Sequence, residues 1–150
     1  MKRIAFAAMA CALAFAPAKA EADFSDSPVS PGSWTYRTVA GGSEAAFVDG
    51  TNTTRMVIAC GKVTRLVTLS RITAAPAASM SFWTSTVSRD LASRFDQPSG
   101  RVIVQLGAAD PLLDAIAFSR GRFAVSMPGM PAFVMPAGTE IAHVVEDCRT

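Results

Sequence analysis

Apolar residues spaced two apart, in short runs bounded by turn residues, constrain this chain more than any other feature. From Arg55 to Cys60, the residues Met56, Ile58 and Cys60 fall on one face and Arg55, Val57 and Ala59 on the other, the period of a strand with one buried side. Similar runs occupy Trp34 to Val39 and Ser43 to Val48, joined by Ala40-Gly41-Gly42, and Asp49-Gly50-Thr51-Asn52 turns the second into Arg55 to Cys60. Lys62 to Ile72 follows as a hairpin partner whose alternation is imperfect. Met80 to Val87 and Leu91 to Phe95 read as strands, and Asp96-Gln97-Pro98-Ser99-Gly100 is a turn before Arg101 to Leu106, where Val102, Val104 and Leu106 share a face.

The period then changes. Asp110 before Pro111 is an N-cap and first-turn pair, Leu112, Leu113, Ile116 and Ala117 recur at helical spacing, and Arg120-Gly121 supplies a terminal cation and cap. Phe123, Val125 and Met127 alternate into Pro128-Gly129, and Met130, Ala132 and Val134 would continue that face beyond the loop. Thr139 caps a last helix from Glu140 to about Cys148, with Ile141, Val144, Val145 and Cys148 along one side. The expectation is a mainly β domain, an antiparallel sandwich or curved meander with two short helices near the C-terminus; α+β is the alternative. No parallel βαβ series is present, which excludes dinucleotide-binding and P-loop folds.

The N-terminus has the three-part layout of a secretory signal: Lys2 and Arg3, an apolar stretch from Ile4 to Ala16, and small residues in Ala18-Lys19-Ala20. The apolar stretch falls short of the ~20 residues of a membrane span. Residues 1–20 are therefore read as a signal peptide cut between Ala20 and Glu21, residues 21–33 as a flexible lead-in, and 34–150 as one β-rich domain. Cys11 falls inside the signal, and Ala8-Met9-Ala10 before it lacks the aliphatic residue of a lipoprotein site. Cleavage removes three of 14 basic residues and none of 12 acidic ones, leaving 11 against 12 and a net charge of −1. That balance removes any case for nucleic acid. The charge-free runs Ile72 to Ser88 and Phe123 to Thr139 are broken by proline, serine and threonine, so no membrane span is expected after signal removal.

Cys60 and Cys148 survive cleavage, both on inward faces and destined for a compartment where disulfides persist, so they are expected to pair. Other residues offer chemistry in weaker form. His143 would share a helix face with Glu140, Glu146 and Asp147, a grouping able to hold a divalent metal or tune a base, or else an ordinary solvated face. Ala117-Phe118-Ser119-Arg120-Gly121 approximates a nucleophile elbow, but places Ser119 at a helix end where the elbow needs a strand-to-helix turn. Arg101, Arg120 and Arg122 are candidates for an anion-binding patch, as are Arg65 and Arg71 on the fourth strand, against the alternative of solvated surface. Trp34, Tyr36, Phe82 and Trp83 would form either a ligand platform or core. Asn52-Thr53-Thr54 fits a glycosylation acceptor, relevant in a eukaryotic source, whereas the Ala-rich leader is bacterial in character. No catalytic constellation, cofactor motif or metal-ligand spacing is present in the sequence.

Trp34-Thr35-Tyr36-Arg37, Gly42 to Phe47, Asp110 to Val125 and Glu146-Asp147-Cys148-Arg149 together resemble a group of small exported proteins of sphingomonad-type alphaproteobacteria. The strand-rich, disulfide-bearing layout is also similar to that of invasion-associated-locus-B-like envelope proteins. These resemblances imply a periplasmic or secreted address and no mechanism. The expected role is a non-enzymatic periplasmic or cell-envelope protein that binds another protein or an envelope component. An inhibitor of a periplasmic hydrolase is one version of that role, and a small enzyme or metal site around His143 is the competing class. The leader makes the first prediction: intact mass of the exported protein should correspond to a chain beginning at Glu21, and uncleaved precursor or a diacylglycerol adduct on Cys11 would contradict it.

Overall fold

Turn chemistry sets the path of the first half of the chain. In a computed structural model describing residues 22–150, the loop Ala40-Gly41, with Gly41 at φ 79°, folds strand β1 (Gly32–Val39) onto β2 (Gly42–Asp49) in uninterrupted antiparallel register. Asn52, at φ 62°, serves the next turn into β3 (Thr54–Gly61), and Arg65, at φ 52°, serves the turn into β4 (Leu66–Ile72). Lys62 to Arg65 thus belong to a turn and not to the strand expected from Lys62, because closing the hairpin requires the left-handed residue just before Leu66. The signal segment 1–20, its cut between Ala20 and Glu21, and Cys11 lie outside the described residues.

After β4 the chain leaves this sheet through the Thr73 to Ala78 segment and enters a second one with β5 (Ser79–Trp83) and β6 (Ser88–Ala92). The strand expected to run to Val87 stops at Trp83. Thr84 turns it: its hydroxyl accepts from the Val87 and Thr86 amides, and its own amide donates to the Val87 carbonyl. The run expected as one strand from Leu91 to Phe95 is split at Ser93, where the chain crosses from β6 back to the first sheet as β7 (Arg94–Asp96). There β7 pairs with β8 (Arg101–Gly107).

Asp110 caps helix α1 (Pro111–Ala117) by accepting from the Leu112 amide at 2.9 Å. This helix ends at Ala117 and does not reach Arg120-Gly121. Strands β9 (Arg122–Met127) and β10 (Met130–Pro136) extend the second sheet, and helix α2 (Thr139–Arg149) closes the described fold. Gly138, not Thr139, occupies its N-cap position. A register shift between Met130 and Phe133 also overturns the face expected for β10: Met130, Phe133 and Met135 pack on the core, in place of Met130, Ala132 and Val134.

Among the described residues the result is a mainly β, sandwich-like fold of two antiparallel sheets, ordered β1-β2-β3-β4-β8-β7 and β10-β9-β5-β6, with α1 and α2 near the C-terminus. Register shows what covers the inner face of the larger sheet. One cross-strand row, Phe47, Met56, Arg71 and Val102, meets the second sheet, where Phe47 packs edge-on against Phe133 at 5.6 Å. Two residues along each strand is the row Ala45, Ile58, Leu69, Val104, and two further is Ser43, Cys60, Val67, Leu106, over which α2 lies. Among the described residues no helix is long and apolar enough to cross a membrane.

The segment expected as a flexible lead-in is tied down and partly strand, since β1 begins at Gly32. Arg122 donates to the Ser27 carbonyl, the Ser30 amide donates to the Val134 carbonyl at 2.8 Å, and Phe24 packs edge-on against Trp83.

Cys60 and Cys148 form a disulfide with a Cα–Cα distance of 5.4 Å across 88 residues of sequence. Neighbouring contacts bind the same helix. Tyr36 donates to Asp147 at 2.6 Å, Arg149 engages both Asp114 oxygens at 2.9 Å, and Arg65 donates to the Arg149 carbonyl at 2.8 Å. A loop of this length is worth roughly 4 to 5 kcal/mol in the chain-entropy model, against ~5 to 15 kcal/mol for a whole small domain. Replacing both cysteines by alanine, or reducing the protein, should lower Tm by well over ten degrees in calorimetry. An unchanged Tm would show that α2 is held by its other contacts alone.

Candidate functional site

The imperfect alternation of β4 has a specific cause. Val67, Leu69 and Arg71 all point inward, so the third member of an otherwise apolar series is a cation, set between Met56 and Val102 in the row that meets the second sheet. Arg71 is 8% exposed. Burying a charge is costly unless it is hydrogen-bonded and paired. Here hydrogen bonding is supplied: Arg71 donates to the Val125 carbonyl at 2.9 Å and to the Pro131 carbonyl at 3.2 Å, with its guanidinium 5.2 Å from the centre of the Phe133 ring. Pro131 lies in the irregular stretch of β10 between Met130 and Phe133, where its carbonyl is not needed by the strand ladder.

Pairing is not supplied. Among the described residues no carboxylate lies within ion-pair distance of Arg71. Burial, and then the like charge of Arg55, push the guanidinium below its ordinary range. An arginine nonetheless stays protonated in proteins. Among the described residues, Arg71 is therefore a buried cation without a paired counter-charge.

Beside it opens a cavity of about 290 Å³. Pro31, Ile72, Met130 and Phe133 give it apolar walls; Arg71 and Arg55 give it positive charge. Asp49 also borders it, already committed: its carboxylate accepts from the Thr51 and Thr53 amides at 2.9 and 3.0 Å, from the Thr51 hydroxyl, and from Nε of Arg55. These donors, the Thr51 hydroxyl and Arg55 foremost, hold its pKa well below the usual carboxylate range. Ser30 and Pro31 reach the cavity because Gly32 takes φ +148°, and a side chain at Gly32 would collide with Phe47 and the Val48 carbonyl.

The arginines singled out from sequence do not gather here or elsewhere. Arg101 donates to the Thr54 and Ser70 carbonyls across the larger sheet, Arg122 holds Ser27, and Arg120 is exposed in the α1–β9 loop. Arg65 and Arg71, read together as one anion site, separate: Arg65 sits in the β3–β4 turn bonded to the C-terminus of α2. His143 is exposed and packs edge-on against Tyr36 at 5.7 Å. Among the described residues no group of three His, Cys, Asp or Glu is placed to hold a metal ion. Ser119 is buried, its hydroxyl accepting from the Ser85 amide at 3.0 Å and donating to the Arg122 carbonyl, while the Arg120 amide donates to Ser85. Trp34 stacks on Phe123 and donates to the Pro136 carbonyl at 2.8 Å, and Phe82 is core; Trp83, on the opposite face, meets Phe24. Asn52 is exposed at its turn.

Asp49 and Arg55 were not distinguishable as site residues in the sequence, because both lie in or beside an ordinary turn. A second concavity, about 450 Å³, runs between α1 and the β5–β6 turn beside Phe118, which is 70% exposed, and Val87.

The committed state of Asp49 has a consequence in acid. A carboxyl whose folded pKa is depressed contributes stability that is fully present above its unfolded pKa and is lost as pH falls toward the folded one. The stability advantage of wild type over Asp49→Asn should therefore be constant above an ordinary aspartate pKa of 3.8 and shrink below it. Chemical denaturation of both proteins as a function of pH measures this, and parallel curves through the acid range would refute it.

No protein-family model matches the chain, and no curated protein or solved structure is similar to it, so the chemistry of the Arg71 cavity has to carry the functional reading.

Proposed function

We propose that this chain is a non-enzymatic protein of the periplasm or cell envelope that binds an envelope component by a negatively charged group, in the cavity between its two sheets. The observation that carries this is the burial of Arg71 beside an open cavity without a carboxylate partner among the described residues. A cation in that position destabilises an apolar row unless something compensates it, and proteins retain such costs where binding needs them. The exported address is supported by the signal-like N-terminus and by a disulfide of the kind that persists in oxidising compartments.

The enzyme reading is weaker on two counts. The Ser119 hydroxyl is used by backbone partners in both directions, and His143 faces outward against Tyr36. Inhibition of a periplasmic hydrolase, which would make a protein the partner, has one observation in its favour, the exposed Phe118 beside its groove. A single exposed aromatic selects no partner, so that reading ranks second.

A ligand that binds only the native state raises its stability by mass action. Tm of the wild type should rise saturably in at least one of sodium acetate, sodium phosphate and sodium 3-phenylpropionate relative to sodium chloride at the same ionic strength, and that increment should disappear in Arg71→Met. No anion-specific increment from any of the three in the wild type, or an equal one in the variant, would remove the proposal.

A further inference from the structure

Resting on the reading of the site as an anion pocket, we infer that its ligand is a carboxylate of about ten non-hydrogen atoms in all, most of them apolar, taken up with the carboxylate on Arg71 and the apolar body against Phe133, Met130 and Ile72.

Charge counting comes first. Among the described residues, those that are ionisable and border the cavity are Arg55, Arg71 and Asp49, and the carboxylate of Asp49 is already bonded to Arg55. One positive charge is left over, which one negative charge balances. A phosphate or sulfate dianion would bring a second negative charge into a space whose walls are mostly apolar, next to Asp49, at a desolvation cost that nothing lining the cavity offsets.

Donor geometry comes next. A guanidinium has five N–H donors in a planar fork suited to a carboxylate. Arg71 spends one on Val125 and one on Pro131, and these two bonds, with Cζ held 5.2 Å from the centre of the Phe133 ring, fix its orientation before any ligand arrives. A fork held in place loses little freedom on binding. Its other three N–H donors have no hydrogen-bond partner among the described residues.

Size and polarity complete the argument. A volume of about 290 Å³ corresponds to roughly ten water-sized units of ~30 Å³ each. Acetate would leave most of that space in contact with apolar wall, whereas a short branched or aromatic acid fills it and removes Pro31, Ile72, Met130 and Phe133 surface from water. Both a free acid and the terminal carboxylate of a peptide ending in an apolar residue present this chemistry.

Isothermal titration of the oxidised protein separates these cases, with 3-phenylpropionate as the free acid, N-acetyl-alanyl-leucine as the chain end, 3-phenylpropionamide as the neutral counterpart, and acetate and inorganic phosphate as small anions. At least one of the two apolar acids should bind about tenfold or more tightly than acetate, phosphate and the amide, in line with the worth of a charged hydrogen bond. Which of the two binds more tightly identifies the source. Arg71→Met should weaken that acid by about tenfold or more. Phe133→Leu keeps the cavity apolar and should reduce the preference for the aromatic acid over acetate, and Arg55→Met covers the case in which the Arg71 variant fails to fold. Phosphate or acetate binding as tightly as the apolar acids, or the amide equalling its acid, would overturn the inference while leaving the anion pocket in place. Absence of binding by every anion would overturn both.

Discussion

The inner face of the six-stranded sheet is too long for one cover, and the fold depends on how that face is divided. The row through Phe47 and Val102 is capped by the four-stranded sheet, while the row through Cys60 and Leu106 is capped by α2. A helix of 11 residues is marginal by itself. It is held because Ile141, Val144, Val145 and Cys148 sit on one side and are all buried, and because Cys148 is bonded to Cys60 in the sheet beneath. The polar ties from Asp147 to Tyr36 and from Arg149 to Asp114 then fix the rotation and tilt of the helix relative to β1 and α1. Once α2 occupies one end of the face, the second sheet is confined to the other end, which is where Arg71 lies.

Arg71 is thus the place where the packing rule of the fold is broken. An aliphatic residue there would continue the Val67, Leu69 series and avoid the desolvation of a charge. The arginine instead takes two carbonyls from the β9–β10 hairpin and so couples the two sheets, a structural gain that explains why its burial is tolerated. That gain does not explain the cavity beside it or the second arginine on the cavity wall. A strut between carbonyls is best served by a closed, dry surround, yet Ser30, Pro31 and the β3 end leave the space open.

Much of the fold is legible in the sequence because two periods and a few turn residues determine it. Met56, Ile58 and Cys60 on β3, and Val102, Val104 and Leu106 on β8, occupy the faces their spacing assigns, and the inward phases of Cys60 and Cys148 bring them together. Where the reading failed, the deciding interaction was not local. Thr84 ends β5 by bonding Val87, a choice that a run of Ser and Thr residues does not announce. The crossing at Ser93 depends on which sheet each side of it can pair with, and the shift in β10 depends on the register of β9. The site was half visible: Arg71 is in phase with Val67 and Leu69, but a cation in an apolar phase reads equally as an error of register until the partner strands are known. Asp49, Arg55 and Ser30 come together through the turn after β2 and the approach to β1, which no periodicity encodes.

A few polar ties hold the frame together. Trp34 donates to Pro136 and Tyr36 to Asp147; Asp110 caps α1 and pairs with Arg89; Asp114 pairs with Arg149, and Arg122 holds Ser27. Apart from the helix cap, each bond joins elements remote in sequence, and substituting either partner leaves the other polar group without its mate. Of the cavity-lining residues, Arg55, Ile72 and Met130 take no part in those ties, whereas Arg71 and Phe133 join the two sheets in their own right. Frame and cavity wall therefore overlap at Arg71 and Phe133. Substitution at Ile72 or Met130 changes the wall, and with it the body of the ligand the proposed site accepts, while the ties and the Arg71 bonds stay in place.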